Sequence, residues 1–66
     1  MKHYYKWYQR RLAKYFTENY DKYEDFAEFY NDPAYNQWLF YIPQLNKNIV
    51  LTCNNDGVVI ESVYER

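Results

Sequence analysis

The sequence predicts an α+β protein in which two N-terminal helices pack on a three-stranded antiparallel β-meander. Three observations lead to this fold class. Apolar residues recur at helical spacing in the first half of the chain. Runs of β-branched and aromatic residues fill the second half. An Asp-Gly pair separates the last two runs, where a hairpin turn is expected. With 66 residues, the chain should form a single domain over residues 1–66.

The first predicted helix covers residues 3–17, and the second covers residues 21–31. The apolar face of the first consists of Tyr5, Tyr8, Leu12, Tyr15 and Phe16. The start of the second is indicated by Asp21 and Glu24, which have the spacing of a capping box. The apolar stripe of the second consists of Tyr23, Phe26, Ala27 and Tyr30. This helix should end before Pro33, because the residue preceding a proline is pushed out of helical geometry.

Residues 33–42 fit two different structures. Pro33 is well placed for the first position of a third helix, but the run 38–42 is rich in strand formers. We favour a helical turn at 33–36 followed by a strand at 37–42. The alternative is a winged-helix-like fold, in which this segment is the third helix and the following hairpin is the wing.

The last third of the chain predicts a β-hairpin between residues 48–54 and 58–64. Asp56 and Gly57 suit a two-residue turn, in which both positions need a positive φ. That turn would place three pairs on one face of the hairpin: Ile49 with Tyr64, Leu51 with Ser62, and Cys53 with Ile60.

The composition argues against catalysis and against a metal or cofactor. The chain has one Cys, one His and one Gly, so it can form neither an internal disulfide, nor a Cys/His zinc site, nor a glycine-rich phosphate loop. We expect Cys53 to be a small buried hydrophobe. No apolar signal region follows the basic start, and no run is long enough for a membrane span. A cytoplasmic protein that is not an enzyme is therefore expected.

The charge layout is more informative than the net charge of −1. Residues 1–16 contain five Lys or Arg and no acidic residue, whereas residues 17–32 contain six acidic residues and one Lys. The basic block supplies the candidate nucleic-acid-binding residues, which are Lys6, Trp7, Arg10, Arg11 and Lys14. Cations on one helix face would neutralise phosphates while Trp7 stacks on a base. The alternative interpretation is a solvated helix face.

The acidic block supplies the candidate protein-binding residues, which are Asp21, Glu24, Asp25, Glu28 and Asp32. A row of carboxylates can dock on a basic protein surface, because Arg and Lys bind carboxylates and phosphates with the same geometry. The expected partner is therefore a protein, of which a nucleic-acid-binding protein is one example. DNA or RNA is the alternative partner, and a homodimer would also hide aromatic surface. Again, the alternative interpretation is a solvated face.

Two short stretches carry a resemblance to known proteins. Residues 23–32, Tyr-Glu-Asp-Phe-Ala-Glu-Phe-Tyr-Asn-Asp, resemble an acidic helix found among the small phage-encoded anti-CRISPR proteins that inhibit Cas9. The hairpin sequence Asn-Asn-Asp-Gly at 54–57 is similar to one in the same group. Acidic inhibitors of that group cover the surface that reads the protospacer-adjacent motif of DNA. The resemblance therefore implies a phage or mobile-element inhibitor of a nucleic-acid-handling host protein.

Overall fold

A computed structural model describes residues 7–66 and confirms the α+β architecture. Helix α1 (Trp7–Glu18) and the short helix α2 (Tyr20–Tyr23) precede four strands. The strands are β1 (Glu28–Asp32), β2 (Gln37–Ile42), β3 (Lys47–Cys53) and β4 (Val59–Glu65). They form one antiparallel sheet in the order β1-β2-β3-β4, and both helices pack on the same face of it.

The predicted second helix at 21–31 is wrong, because most of that segment forms a turn and a strand. The helix α2 ends at Tyr23, and its first turn has no side-chain cap. In β1, Phe29 pairs with Phe40 on the helix side of the sheet, and Tyr30 lies on the other side. Aromatic residues at positions 26, 29 and 30 have helical spacing, although Phe29 and Tyr30 lie on opposite faces of the strand. Pairing with β2 decides in favour of the strand, since tertiary contacts override weak helix propensity.

The segment 33–42 forms the predicted turn and strand, so the winged-helix alternative is wrong. The turns before and after β2 share a Pro-x-x-Asn pattern, at 33–36 and 43–46. Asn36 and Asn46 adopt positive φ values of 56° and 54°, a conformation that Asn tolerates better than most residues. Each turn is closed by backbone hydrogen bonds that include one from the Asn N–H to the Pro carbonyl. The two turns fold β1, β2 and β3 into a meander.

The last hairpin forms where predicted, but its register differs by one residue. The backbone N–H of Asn54 bonds to the Val58 carbonyl, and only Gly57 within the loop has a positive φ, of 81°. The loop is therefore a three-residue turn, residues 55–57, of the kind that ends in a left-handed residue. The observed pairs are Ile49 with Val63, Leu51 with Glu61, and Cys53 with Val59. The shift moves Ile60 and Tyr64 to the sheet face away from the helices.

The core lies between the helices and the sheet and is rich in aromatic rings. Its buried residues are Tyr8, Leu12, Tyr23, Phe40, Ile42, Ile49, Leu51 and Cys53. The ring of Phe16 stacks on Tyr23 and Phe40, with centroids 5.4 and 5.3 Å apart. This stack joins both helices to β2. Within residues 7–66, no helix has the length and apolar character needed to cross a membrane.

Candidate protein-docking face

Twelve side chains of the sheet point away from the helices and form what we call the open face. Strand alternation and the observed register arrange them in three cross-strand rows. The first row is Glu28, Tyr41, Asn48 and Tyr64. The second row is Tyr30, Leu39, Val50 and Ser62. The third row is Asp32, Gln37, Thr52 and Ile60. No helix or strand of the described residues packs on this face.

The open face has an apolar and aromatic middle. Tyr30 is 62% exposed and Tyr64 is 57% exposed, and the partly buried Leu39 and Val50 lie between them. Together with neighbouring residues they line a shallow cleft of about 500 Å³. A contiguous apolar patch rimmed by polar residues is typical of an interaction site.

The charges on the open face make it neutral to acidic. The guanidinium of Arg66 lies 3.9 Å from the centroid of the Tyr41 ring and 3.3 Å from Glu28 Oε1. Asp32 has no ion-pair partner among the described residues. A sheet that stacks nucleic-acid bases also needs cations for the phosphates. Arg66 is the one described cation on this face, so the open face is poorly suited to nucleic acid.

The five predicted acidic residues do not form a single ridge. Asp21 lies in α2, and Glu24 and Asp25 lie in the turn that follows it. Glu28 and Asp32 lie at the two ends of β1, on the border of the open face. The prediction of one acidic helix face is therefore wrong, because the chain changes from helix to strand within the acidic block.

The predicted basic face is present on α1 in part. Trp7 is 50% exposed, and Arg10 and Lys14 are exposed on the same helix. Lys14 Nζ lies 3.8 Å from Glu18 Oε2. The guanidinium of Arg11 lies beside the hairpin loop, where Cζ is 3.1 Å from the position that a Cβ on residue 57 would occupy. The remaining predicted residue, Lys6, lies outside the described residues.

The buried polar groups are engaged in holding the fold together. The side chain of Gln9 accepts a hydrogen bond from Trp38 Nε1 (2.8 Å) and approaches Asn31 Oδ1 with its amide nitrogen (3.4 Å). The hydroxyl of Tyr23 donates to Glu61. Burial raises the pKa of the Cys53 thiol, which disfavours the thiolate needed of a nucleophile. Among residues 7–66, no three His, Cys, Asp or Glu side chains are grouped to hold a metal ion.

No protein-family model, curated protein or solved structure matches this chain. Sequence reasoning missed the open face because it placed Tyr30 in a helical stripe and paired Tyr64 with Ile49, on the hairpin face of Leu51 and Cys53. The signal that could have revealed it is the repeated Pro-x-x-Asn pattern, which marks a strand on each side of 33–36 and of 43–46.

Proposed function

We propose that this protein is a non-enzymatic binding factor that docks a protein partner on the open face. The observation that carries the proposal is the apolar and aromatic surface across all four strands, which no other described element covers. Tyrosine is enriched at protein interfaces, where its rigid ring supplies contact area at low entropic cost. An apolar centre with polar groups around it is the usual layout of such interfaces.

The charges around the face favour a partner with a basic surface. Glu28 and Asp32 border it on β1, and Asp21, Glu24 and Asp25, which pair with no cation among residues 7–66, precede that strand. Nucleic-acid-binding proteins present such basic surfaces. A narrower form of the proposal is therefore an inhibitor, encoded by a phage or mobile element, of a nucleic-acid-handling host protein. The resemblance of residues 23–32 to an acidic helix is one of sequence, since residues 28–32 form β1 here.

The test is site-specific photocrosslinking in cells of the native host. A photoreactive benzoylphenylalanine replaces Tyr30 or Tyr64 on the open face, and in matched controls it replaces Trp7 on α1 or Tyr20 on α2. All four side chains are substantially exposed aromatics, so each replacement should leave the fold intact. We expect one discrete heteromeric adduct from each open-face position and none from the two helix positions.

Two other results would contradict the proposal. Adducts formed from Trp7 or Tyr20 alone would place the docking surface on the helices. Adducts containing two copies of this chain, and no other protein, would show that the open face is a homodimer interface.

A second candidate function is nucleic-acid binding through α1. It is favoured by the half-exposed Trp7 and by Arg10 and Arg11, which form no ion pair with any described residue. A titration of labelled single-stranded DNA at several salt concentrations tests it. Each lost phosphate contact should lower the salt slope by about 0.7, so the double change Arg10→Ala and Arg11→Ala should flatten it. Lys47→Ala, which removes a lysine paired with Glu65, is the control. If the double arginine variant and the unaltered chain have equal salt slopes, this function is rejected.

A further inference from the structure

One corner of the open face holds an arginine side chain of the chain itself. The backbone N–H of Arg66 bonds to the Asn46 carbonyl at 3.0 Å, which extends β4 past its last residue. From there the guanidinium reaches back over the Tyr41 ring, 3.9 Å from its centroid, and ends 3.3 Å from Glu28 Oε1. We call Glu28, Tyr41 and the space taken by this guanidinium the arginine site.

The arginine site suits a guanidinium better than an ammonium. A planar guanidinium can stack on an aromatic ring while its N–H groups point outward to a carboxylate. The ammonium of a lysine is not planar, so it cannot stack on the ring in this way. Here Tyr41 provides the ring, and Glu28 is its direct cross-strand neighbour. The hydroxyl of Tyr41 donates to Asn46 Oδ1 at 3.2 Å, which fixes the orientation of the ring. The ring and the carboxylate are therefore adjacent in the folded chain.

Arg66 is held in this site only loosely. Its side chain is 42% exposed, and that of Glu28 is 63% exposed. Ion pairs this open to solvent contribute little, because water and salt screen them. An arginine from another molecule can therefore exchange with Arg66 at low cost, provided that additional contacts hold the other molecule in place. The neighbouring Tyr30, Leu39 and Tyr64 supply apolar surface for those contacts.

We propose that the protein partner of the open face inserts an arginine side chain into the arginine site and displaces Arg66. This inference rests on the proposed function and names the chemistry of the partner: an arginine flanked by apolar residues on a basic surface. Arg66 acts as an internal competitor that shields Glu28 until a partner binds. Once Arg66 leaves, Glu28 and Asp32 both face the partner, which strengthens the preference for a basic surface.

The experiment titrates N-acetyl-arginine amide into the full chain and follows the ring signals of Tyr41 by NMR. Binding of one amino acid should be weak, on the order of millimolar. Because the competitor is removed, Arg66→Ala should bind the probe about threefold or more tightly than the unaltered chain. Adding Glu28→Gln to Arg66→Ala should abolish most of that gain. Lys47→Ala, which removes a lysine that pairs with Glu65, is the control and should bind like the unaltered chain.

N-acetyl-lysine amide serves as the second probe. It should shift the Tyr41 signals much less than the arginine probe at equal concentration. Equal response to the two probes, or equal affinity of the arginine probe for Arg66→Ala and the unaltered chain, would overturn the inference. Crosslinking from Tyr30 and Tyr64 does not depend on this titration. If the titration fails while crosslinking succeeds, the insertion of a partner arginine is rejected, but docking on the open face still stands. If crosslinking fails, the proposed function is rejected whatever the titration shows.

Discussion

At the scale of single residues, Tyr23 shows how a hydrogen bond from a buried ring can stabilise a small core. Its ring is fully buried against Phe16 and Phe40, and its hydroxyl donates to Glu61 on β4. Lys22 Nζ lies 3.3 Å from the same carboxylate. Burial, and then the hydrogen bond to Glu61, raise the pKa of Tyr23 well above the ordinary value for tyrosine. The buried hydroxyl therefore stays protonated where a tyrosine of the unfolded chain would ionise.

The raised pKa of Tyr23 predicts a loss of stability in alkali. This contribution is fully present below the unfolded pKa of about 10 and falls as the pH rises above it, because the unfolded chain then releases a proton that the folded chain keeps. Tyr23→Phe should cost about 2 kcal/mol at pH 7, the value of a hydrogen bond to a charged group. Relative to this variant, the unaltered chain should lose about 0.8 kcal/mol at pH 10.5.

Urea unfolding of both proteins at the two pH values measures this difference. Tyr64→Phe provides the control, because it removes the hydroxyl of an exposed tyrosine and should leave the pH dependence unchanged. An identical alkaline loss in Tyr23→Phe and the unaltered chain would show that Tyr23 is not the group responsible.

At the scale of elements, the loop between β3 and β4 decides which side chains reach the open face. The Asn54 side-chain oxygen accepts hydrogen bonds from the backbone N–H groups of Asp56 (2.9 Å) and Val58 (3.0 Å). These bonds favour a three-residue loop over the shorter turn that Asp-Gly alone suggests. Because loop length sets hairpin register, Asn54 and Gly57 together determine that Tyr64 lies on the open face.

Gly57→Ala should therefore weaken the hairpin. The residue has a φ of 81°, a left-handed conformation that costs an L-residue about 1–2 kcal/mol. The added Cβ would also lie 3.1 Å from Arg11 Cζ, but that contact involves the end of a flexible side chain that can move away. Backbone strain should thus dominate, and Gly57→Asn should cost less, since Asn tolerates this region better. Urea unfolding measures both costs.

A double variant separates the two causes at Gly57. If backbone strain dominates, Gly57→Ala should cost the same free energy of unfolding whether or not Arg11 is first changed to Ala. A cost that disappears in the Arg11→Ala background would instead identify the contact with the guanidinium as the cause.

The same elements show how far sequence reasoning reached. The strand at 37–42 was predictable because a run of strand formers ends at a proline, and α1 because its apolar spacing is helical. β1 was missed because the aromatic residues at 26, 29 and 30 have helical spacing, and only pairing with β2 shows that 28–32 is a strand. The acidic residues were identified individually but assigned to the wrong element. The open face needed both β1 and the correct register of β4, so neither composition nor charge could reveal it.

At the scale of the whole molecule, the two faces of the sheet differ in burial. The helix side holds the buried aromatic core, whereas the open face holds exposed tyrosines. A domain of this size has a free energy of unfolding of roughly 3–10 kcal/mol. With so little stability to lose, the chain cannot tolerate polar or smaller residues on the helix side of the sheet. Under the proposed function, the side chains of the open face serve binding and are not needed for folding.

Phe40→Ala and Tyr30→Ala test this division on neighbouring strands. Phe40 is 3% exposed and its ring contacts Phe16, Tyr23, Phe26 and Phe29. Its loss should cost about 3–5 kcal/mol, which approaches the entire stability of the chain, so thermal unfolding should shift to far lower temperature. Tyr30→Ala removes a side chain from the open face and should change stability by no more than about 0.5 kcal/mol. A large loss of stability in Tyr30→Ala would mean that the open face is itself needed for folding, which would contradict the proposal that it is kept for docking.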